Sequence, residues 1–171
     1  MLIVFGGLPG TGKTTLARLI AGQRRATYLR IDTIEQAIRA SGMLAGEVGP
    51  SGYLIGYALA EANLVLGQDV VADSVNPLGV TREAWRRAAA NASSSCIEIE
   101  VVCSDPAEHR RRVETRETDV AGLQLPSWEA VQRRDYEAWD RPRLVVDTAG
   151  RSVADASAEL QGRIAEASAR W

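Results

Sequence analysis

The stretch Gly7 to Thr15, G-L-P-G-T-G-K-T-T, directly follows the apolar run Leu2, Ile3, Val4, Phe5. It fits G-x-x-x-x-G-K-[ST], with Gly7, Gly12, Lys13 and Thr14 in the four defining places. Glycines at this spacing let consecutive backbone N–H groups curl around phosphate oxygens, which a Cβ would obstruct, and the next helix N-terminus adds partial positive charge. Gly7, Leu8, Pro9, Gly10, Thr11, Gly12, Lys13, Thr14 and Thr15 are therefore the candidate nucleotide-phosphate residues. Lys13 would reach the β- and γ-phosphates, and Thr14 would offer its hydroxyl to Mg²⁺. Lys and Arg total 20, yet Lys13 is the only lysine. A chain that uses arginine elsewhere keeps lysine where a compact ammonium must sit among phosphates.

At 171 residues the length predicts one domain with a real core, and the 46% hydrophobic and 25% charged content is that of an ordinary globular chain. A net charge of −2 supplies no overall basic field, which disfavours a nucleic-acid partner. No apolar run reaches membrane-spanning length, and the N-terminal run stops at Gly6, so the sequence predicts neither a membrane span nor a secretory leader and suggests a cytoplasmic protein. Cys96 and Cys103 flank one predicted strand too far apart to pair, and read as small buried residues.

Along the chain, Ala26 to Ile31 reads as a second strand, and Asp32 opens a helix to about Ala40. The glycine-rich stretch Gly42 to Gly52 reads as a loop, a candidate substrate-closing element or a plain connector. Tyr53 to Leu66 is helical by period, with Leu54, Ala58, Leu59, Ala62 and Leu66 on the predicted core stripe. Asp69 to Ala72 is the third strand, ending in D-S-V-N-P, where Pro77 stops the sheet. Thr81 to Ala92 is helix and Cys96 to Cys103 is strand. Asp105, Pro106 and Glu108 start the next helix, which carries H-R-R-R-V-E-T-R. Thr118 to Pro126 is loop, Ser127 caps a helix to about Ala138, Leu144 to Val146 is the last strand, and Ser152 to Arg170 closes the chain. The alternation predicts a three-layer α/β fold on a five-stranded parallel sheet, without repeats.

In such sheets ligands lie at the carboxyl ends of the strands. Asp32, Asp73 and Asp147 each follow a strand. Asp32 reads two ways: as a helix cap in D-T-I-E with Glu35 returning to the backbone, and as a base for a substrate hydroxyl. Asp73 reads as the acidic residue that holds Mg²⁺ with Thr14, or as a loop hydrogen-bonder. Asp147 reads as a strand-end turn former near the nucleotide base. Phosphoryl transfer needs positive charge at the equatorial oxygens. Arg112 and Arg116, one turn apart on the helix leading into the 118–126 loop, are the candidates, although arginine runs often form a solvated face. A lid would span about 110–127. His109, the only histidine, reads as solvent-facing, and Trp128, Tyr136 and Trp139 as packing residues or an aromatic wall.

The combination of G-L-P-G-T-G-K-T-T, Asp32 after strand two, D-S-V-N-P after strand three and the R-x-x-x-R pair Arg112 and Arg116 resembles small phosphate-loop kinases related to polynucleotide kinase, the zeta toxins and chloramphenicol phosphotransferase. The resemblance covers roughly residues 2 to 150. It implies a nucleoside-kinase-like fold, ATP and Mg²⁺, transfer of the γ-phosphate to a hydroxyl, Asp32 as base, and Lys13, Arg112 and Arg116 at the phosphates. Polynucleotide kinases place an arginine three residues after the aspartate, where this chain has Glu35, which favours a small hydroxylated acceptor. Three other readings stay open: a nucleotide-binding module without turnover, a 5′-hydroxyl polynucleotide kinase, and a toxin-like kinase of a sugar nucleotide. A GTPase switch needs N-K-x-D, which a chain with one lysine at Lys13 lacks, and D-V-A-G at Asp119 lies too late for a switch motif.

Overall fold

The computed structural model describes residues 1–43 and 46–169, so parts of the predicted Gly42 to Gly52 loop and of the closing segment to Arg170 lie outside the described residues. The elements are β1 (Leu2–Gly6), α1 (Lys13–Arg24), β2 (Thr27–Arg30), α2 (Ile31–Ala40), α3 (Ser51–Val65), β3 (Val70–Asp73), α4 (Gly79–Asn91), β4 (Cys96–Val102), α5 (Pro106–Thr115), α6 (Trp128–Gln132), β5 (Leu144–Asp147) and α7 (Val153–Ser168). All strand pairings are parallel, in the order β2-β3-β1-β4-β5. This is the predicted three-layer α/β fold with a five-stranded parallel sheet.

Strand alternation divides the apolar residues between two cores. Ile3 and Phe5 of β1 face Leu16 and Ile20 of α1 and Leu160 and Ile164 of α7. Leu2 and Val4 face Ala60 and Leu64 of α3 and Trp85 of α4. β1 is wholly buried because it has a strand on each side and helices on each face. It is also where the chain switches sides of the sheet, so the crevice for a ligand opens at its carboxyl end.

Helix α3 forms where the periodicity places it, but turned about its axis. Its buried residues are Gly52, Gly56, Ala60 and Leu64, whereas Leu54, Leu59 and Leu66 of the predicted stripe are exposed. A Cβ at Gly56 would run into Ile31 and Trp85, so the smallest residues face the closest neighbours. Helix α6 is shorter than the predicted run to Ala138. The Glu137 amide donates to the Pro77 carbonyl, and the carbonyls of Glu137 and Ala138 accept from Arg82, so tertiary partners take the groups a longer helix would need. Cys96 and Cys103 are free; Cys103 is buried and Cys96 partly so. Among the described residues no helix is long and apolar enough to cross a membrane.

Candidate active site

The turn from β1 into α1 is built by backbone geometry that side chains disfavour. Gly7, Gly10 and Gly12 have φ of 138, 87 and 91°, and a Cβ on Gly7 would strike the Val101 carbonyl. Gly12 is the N-cap of α1 with no side-chain cap bond, and the first turn holds no acidic residue. The amides that open α1 therefore keep their hydrogen-bonding capacity for an anion.

Lys13 is 8% exposed and Asp73 is 2% exposed. Burial pushes the Lys13 ammonium below its ordinary range, while the charges of Asp73 and Asp32 oppose that shift. Asp73 ends β3 and accepts the Tyr28 hydroxyl on Oδ2 at 2.7 Å. Its Oδ1 is buried without a hydrogen-bond partner. Desolvation, then Asp73, pushes the Tyr28 phenol far upward, so it stays a donor.

Lys13, Thr14, Asp32, Arg112 and Arg116 line one cavity of about 770 Å³. The candidate base, the candidate metal hydroxyl and the candidate cations thus share one space, whereas Asp73, buried beside Tyr28, does not line it. Asp32 is the second residue of α2 rather than its cap: the N-cap is Arg30, with no side-chain cap bond. The predicted capping box is absent because the helix begins at the core residue Ile31, and Glu35 packs instead against Gly52. Burial pushes the Glu35 carboxyl up.

Arg112 and Arg116 do not share a helix face. Arg112 donates to Glu108 at 2.7 Å and to the hydroxyl and carbonyl of Thr148 at 2.8 and 3.0 Å. Arg116 stands past the last turn of α5 with extended backbone, its Nε buried and unpartnered. Burial, against the pull of Asp32, lowers its affinity for a proton.

Several residues at the site carry no motif. Thr148, after β5, places its hydroxyl 2.9 Å from the Thr11 carbonyl and so ties Arg112 to the phosphate loop. His109 is buried, not solvent-facing: Nε2 donates to the Pro9 carbonyl at 2.8 Å, and the ring meets Trp128 edge-on at 5.1 Å. A carbonyl can only accept, so Nε2 carries the proton. The i, i+4 spacing of His109 and Val113, both against Gly10, is the signal that places this face of α5 on the loop. Arg18, Arg30 and Asp119 form a third group: Asp119 takes Arg30 on Oδ1 at 2.8 Å and Arg18 on Oδ2, and these two cations hold its carboxyl down at about 2. Asp147 accepts from the amides of Ser104 and Ala149, both at 3.0 Å, as a strand-end turn former.

A glycine-lined turn on an uncapped helix, a buried lysine and a strand-end aspartate on a parallel sheet define the fold of the small phosphate-loop kinases. The AAA domain family model matches residues 2–135, and the chain belongs to that family. Kti12 of Chaetomium thermophilum, solved with ADP-AlF3, superposes with a TM-score of 0.69 at 25% identity over 97% of this chain and 98% of that one. The APS kinase CysC of Mycobacterium tuberculosis, solved with AMPPNP and APS, gives a TM-score of 0.69 at 18% identity over 94% and 95%. An uncharacterized M. tuberculosis protein, Rv2004c, is 30% identical over 91% of this chain, which spans only 34% of that relative's length.

Proposed function

We propose that the protein is an ATP-dependent phosphotransferase that moves the γ-phosphate to a hydroxyl of a small-molecule or nucleoside-type acceptor. The observation that carries this reading is the placement of Asp32 on the same cavity as Lys13, Thr14 and Arg116. A binding module needs the loop and lysine alone; a kinase also needs a carboxylate to take the acceptor's proton. The loop Gly7 to Thr15 holds the phosphates, Lys13 and Arg116 meet charge on the transferred group, and Arg112 stands by them, fixed through Thr148. The 110–127 region acts as the lid of a single domain spanning residues 1–171.

Mg²⁺ fits the residues present. Asp73 Oδ1 is a buried oxygen without a partner, and Thr14 lines the cavity. Among the described residues no group of three or more His, Cys, Asp or Glu converges, so Thr14 and Asp73 would hold the ion with the nucleotide's own oxygens and water. When bound, it would neutralise charge on the β- and γ-phosphates.

APS kinase, by its name and ligand, pairs a nucleotide with a small acceptor on the same fold, which supports a small acceptor here. The test is ³¹P detection of transfer from ATP·Mg²⁺ to pooled nucleosides, sugars, aminoglycosides and 5′-hydroxyl oligonucleotides, beside Asp32→Asn. That variant should keep AMPPNP affinity within about threefold and lose roughly 10²–10⁴-fold in transfer. Full turnover by Asp32→Asn would remove Asp32 from the mechanism; transfer only to oligonucleotides would reverse the acceptor class.

A further inference from the structure

The D-V-A-G stretch at Asp119 carries no switch motif, yet it supplies the carboxylate that closes the 117–126 loop over the site. We propose that Asp119 is a positioning residue: it clamps this loop to α1 and β2, and by taking the short bond of Arg30 it keeps the contact of Arg30 with Asp32 long. The proposal rests on the phosphotransfer reading for the role of Asp32, and on geometry alone for the clamp.

Arg30 is the last residue of β2 and pairs in register with Asp73 of β3, so the sheet fixes the two side by side. Its side chain is 10% exposed, and a cation that desolvated must find an acceptor. Three carboxylates surround it at unequal distances: Asp119 at 2.8 Å, Asp32 at 3.4 Å and Asp73 at 3.9 Å. The only short contact is to the loop residue. Arg30 Nε, nearest Asp73, has no hydrogen-bond partner at all.

Asp119 is itself half-exposed, and a lone surface ion pair of that kind contributes little. Here the geometry differs, since each oxygen takes a different arginine from a different element, Arg18 on α1 and Arg30 at the end of β2. Arg18 stands one turn after Thr14, so the clamp lands on the helix that opens with the phosphate loop.

Closure and chemistry are linked by what Arg30 does without Asp119. Asp32 is two residues away along the chain and already accepts from Arg30 Nη2 on Oδ2 at 3.4 Å. With the loop shut, Arg30 spends its short bond on Asp119 and keeps only a long one, 3.4 Å, to Asp32 Oδ2, which leaves Asp32 able to accept the hydroxyl proton. With the loop open, Arg30 loses its short partner and tightens onto Asp32, the carboxylate it already touches, which ties up the acceptor's base. An acceptor could then be activated only under a closed loop, which limits transfer to water.

The test is amide hydrogen exchange over residues 117–126 without nucleotide, in wild type, Asp119→Asn, Asp119→Glu and Arg30→Gln, each first checked for an unchanged thermal midpoint. Exchange should quicken about tenfold or more in Asp119→Asn and largely recover in Asp119→Glu. Exchange within about twofold of wild type in Asp119→Asn would overturn the clamp. Turnover supplies the second arm. Asp119→Asn should lower kcat about tenfold with KM for ATP within about threefold, and the Arg30→Gln/Asp119→Asn double variant should be no worse than Arg30→Gln. Additive losses would overturn the link through Arg30. A wild-type protein that transfers to nothing would sink the phosphotransfer reading, and exchange alone would then decide the clamp.

Discussion

Two buried arginine environments sit on either side of the D-S-V-N-P segment, and they are built on opposite plans. Arg82, in α4, is 0% exposed. Its guanidinium donates to the carbonyls of Asn76, Pro77, Glu137 and Ala138 at 2.7 to 3.1 Å and stacks on Trp139 at 4.2 Å. No carboxylate pairs with it among the described residues; neutral dipoles and an aromatic face replace water. On the site side, Arg116 keeps a buried Nε without a partner, and Arg30 has three carboxylates but one short contact. A cation whose donors are filled by its own chain can only hold structure. One left with spare donors at a cavity can still bind a ligand.

Lys13, buried with the site cations, should show the largest effect. Lys13→Ala is expected to lower phosphate transfer about 10³-fold, roughly 4 kcal/mol, read by steady-state kinetics and AMPPNP calorimetry. Unchanged turnover would end the assignment of the loop. Arg82→Ala should cost about 3–5 kcal/mol of folding stability in urea unfolding, because four carbonyls lose one shared donor group. A loss below about 1 kcal/mol would erase the distinction drawn here. Arg116→Ala should do the reverse: transfer falls about 30- to 100-fold while the urea midpoint holds or rises, since a half-buried guanidinium with an unmet Nε–H is removed. Destabilisation without a kinetic effect would make Arg116 another Arg82. Arg110, in an exposed pair with Glu114, supplies the baseline: Arg110→Ala should stay within about 0.5 kcal/mol and leave transfer intact.

The contrast also shows what could be read from residues in order. The phosphate loop, Asp32 and Asp73 were legible because local rules place them: glycine spacing, and polar residues at strand ends on a parallel sheet. Arg30, Asp119 and Thr148 were not, since their partners lie 89, 36 and more residues away and none sits in a motif. His109 looked exposed because a lone histidine in a polar first turn gives no hint that Pro9 waits 100 residues upstream. The face of α3 was misread for a related reason. Periodicity marks the large apolar residues, but where α3 presses on α2 and α4 the glycines Gly52 and Gly56 are the ones that fit.

The sequence by itself determined the alternation of strands and helices, the parallel sheet and the anion-binding turn, because hydrophobic period, glycine geometry and chain connectivity act over short spans. Only the tertiary structure decided which arginines are spent and which are spare, because hydrogen-bond satisfaction depends on atoms that distant segments bring within about 3 Å.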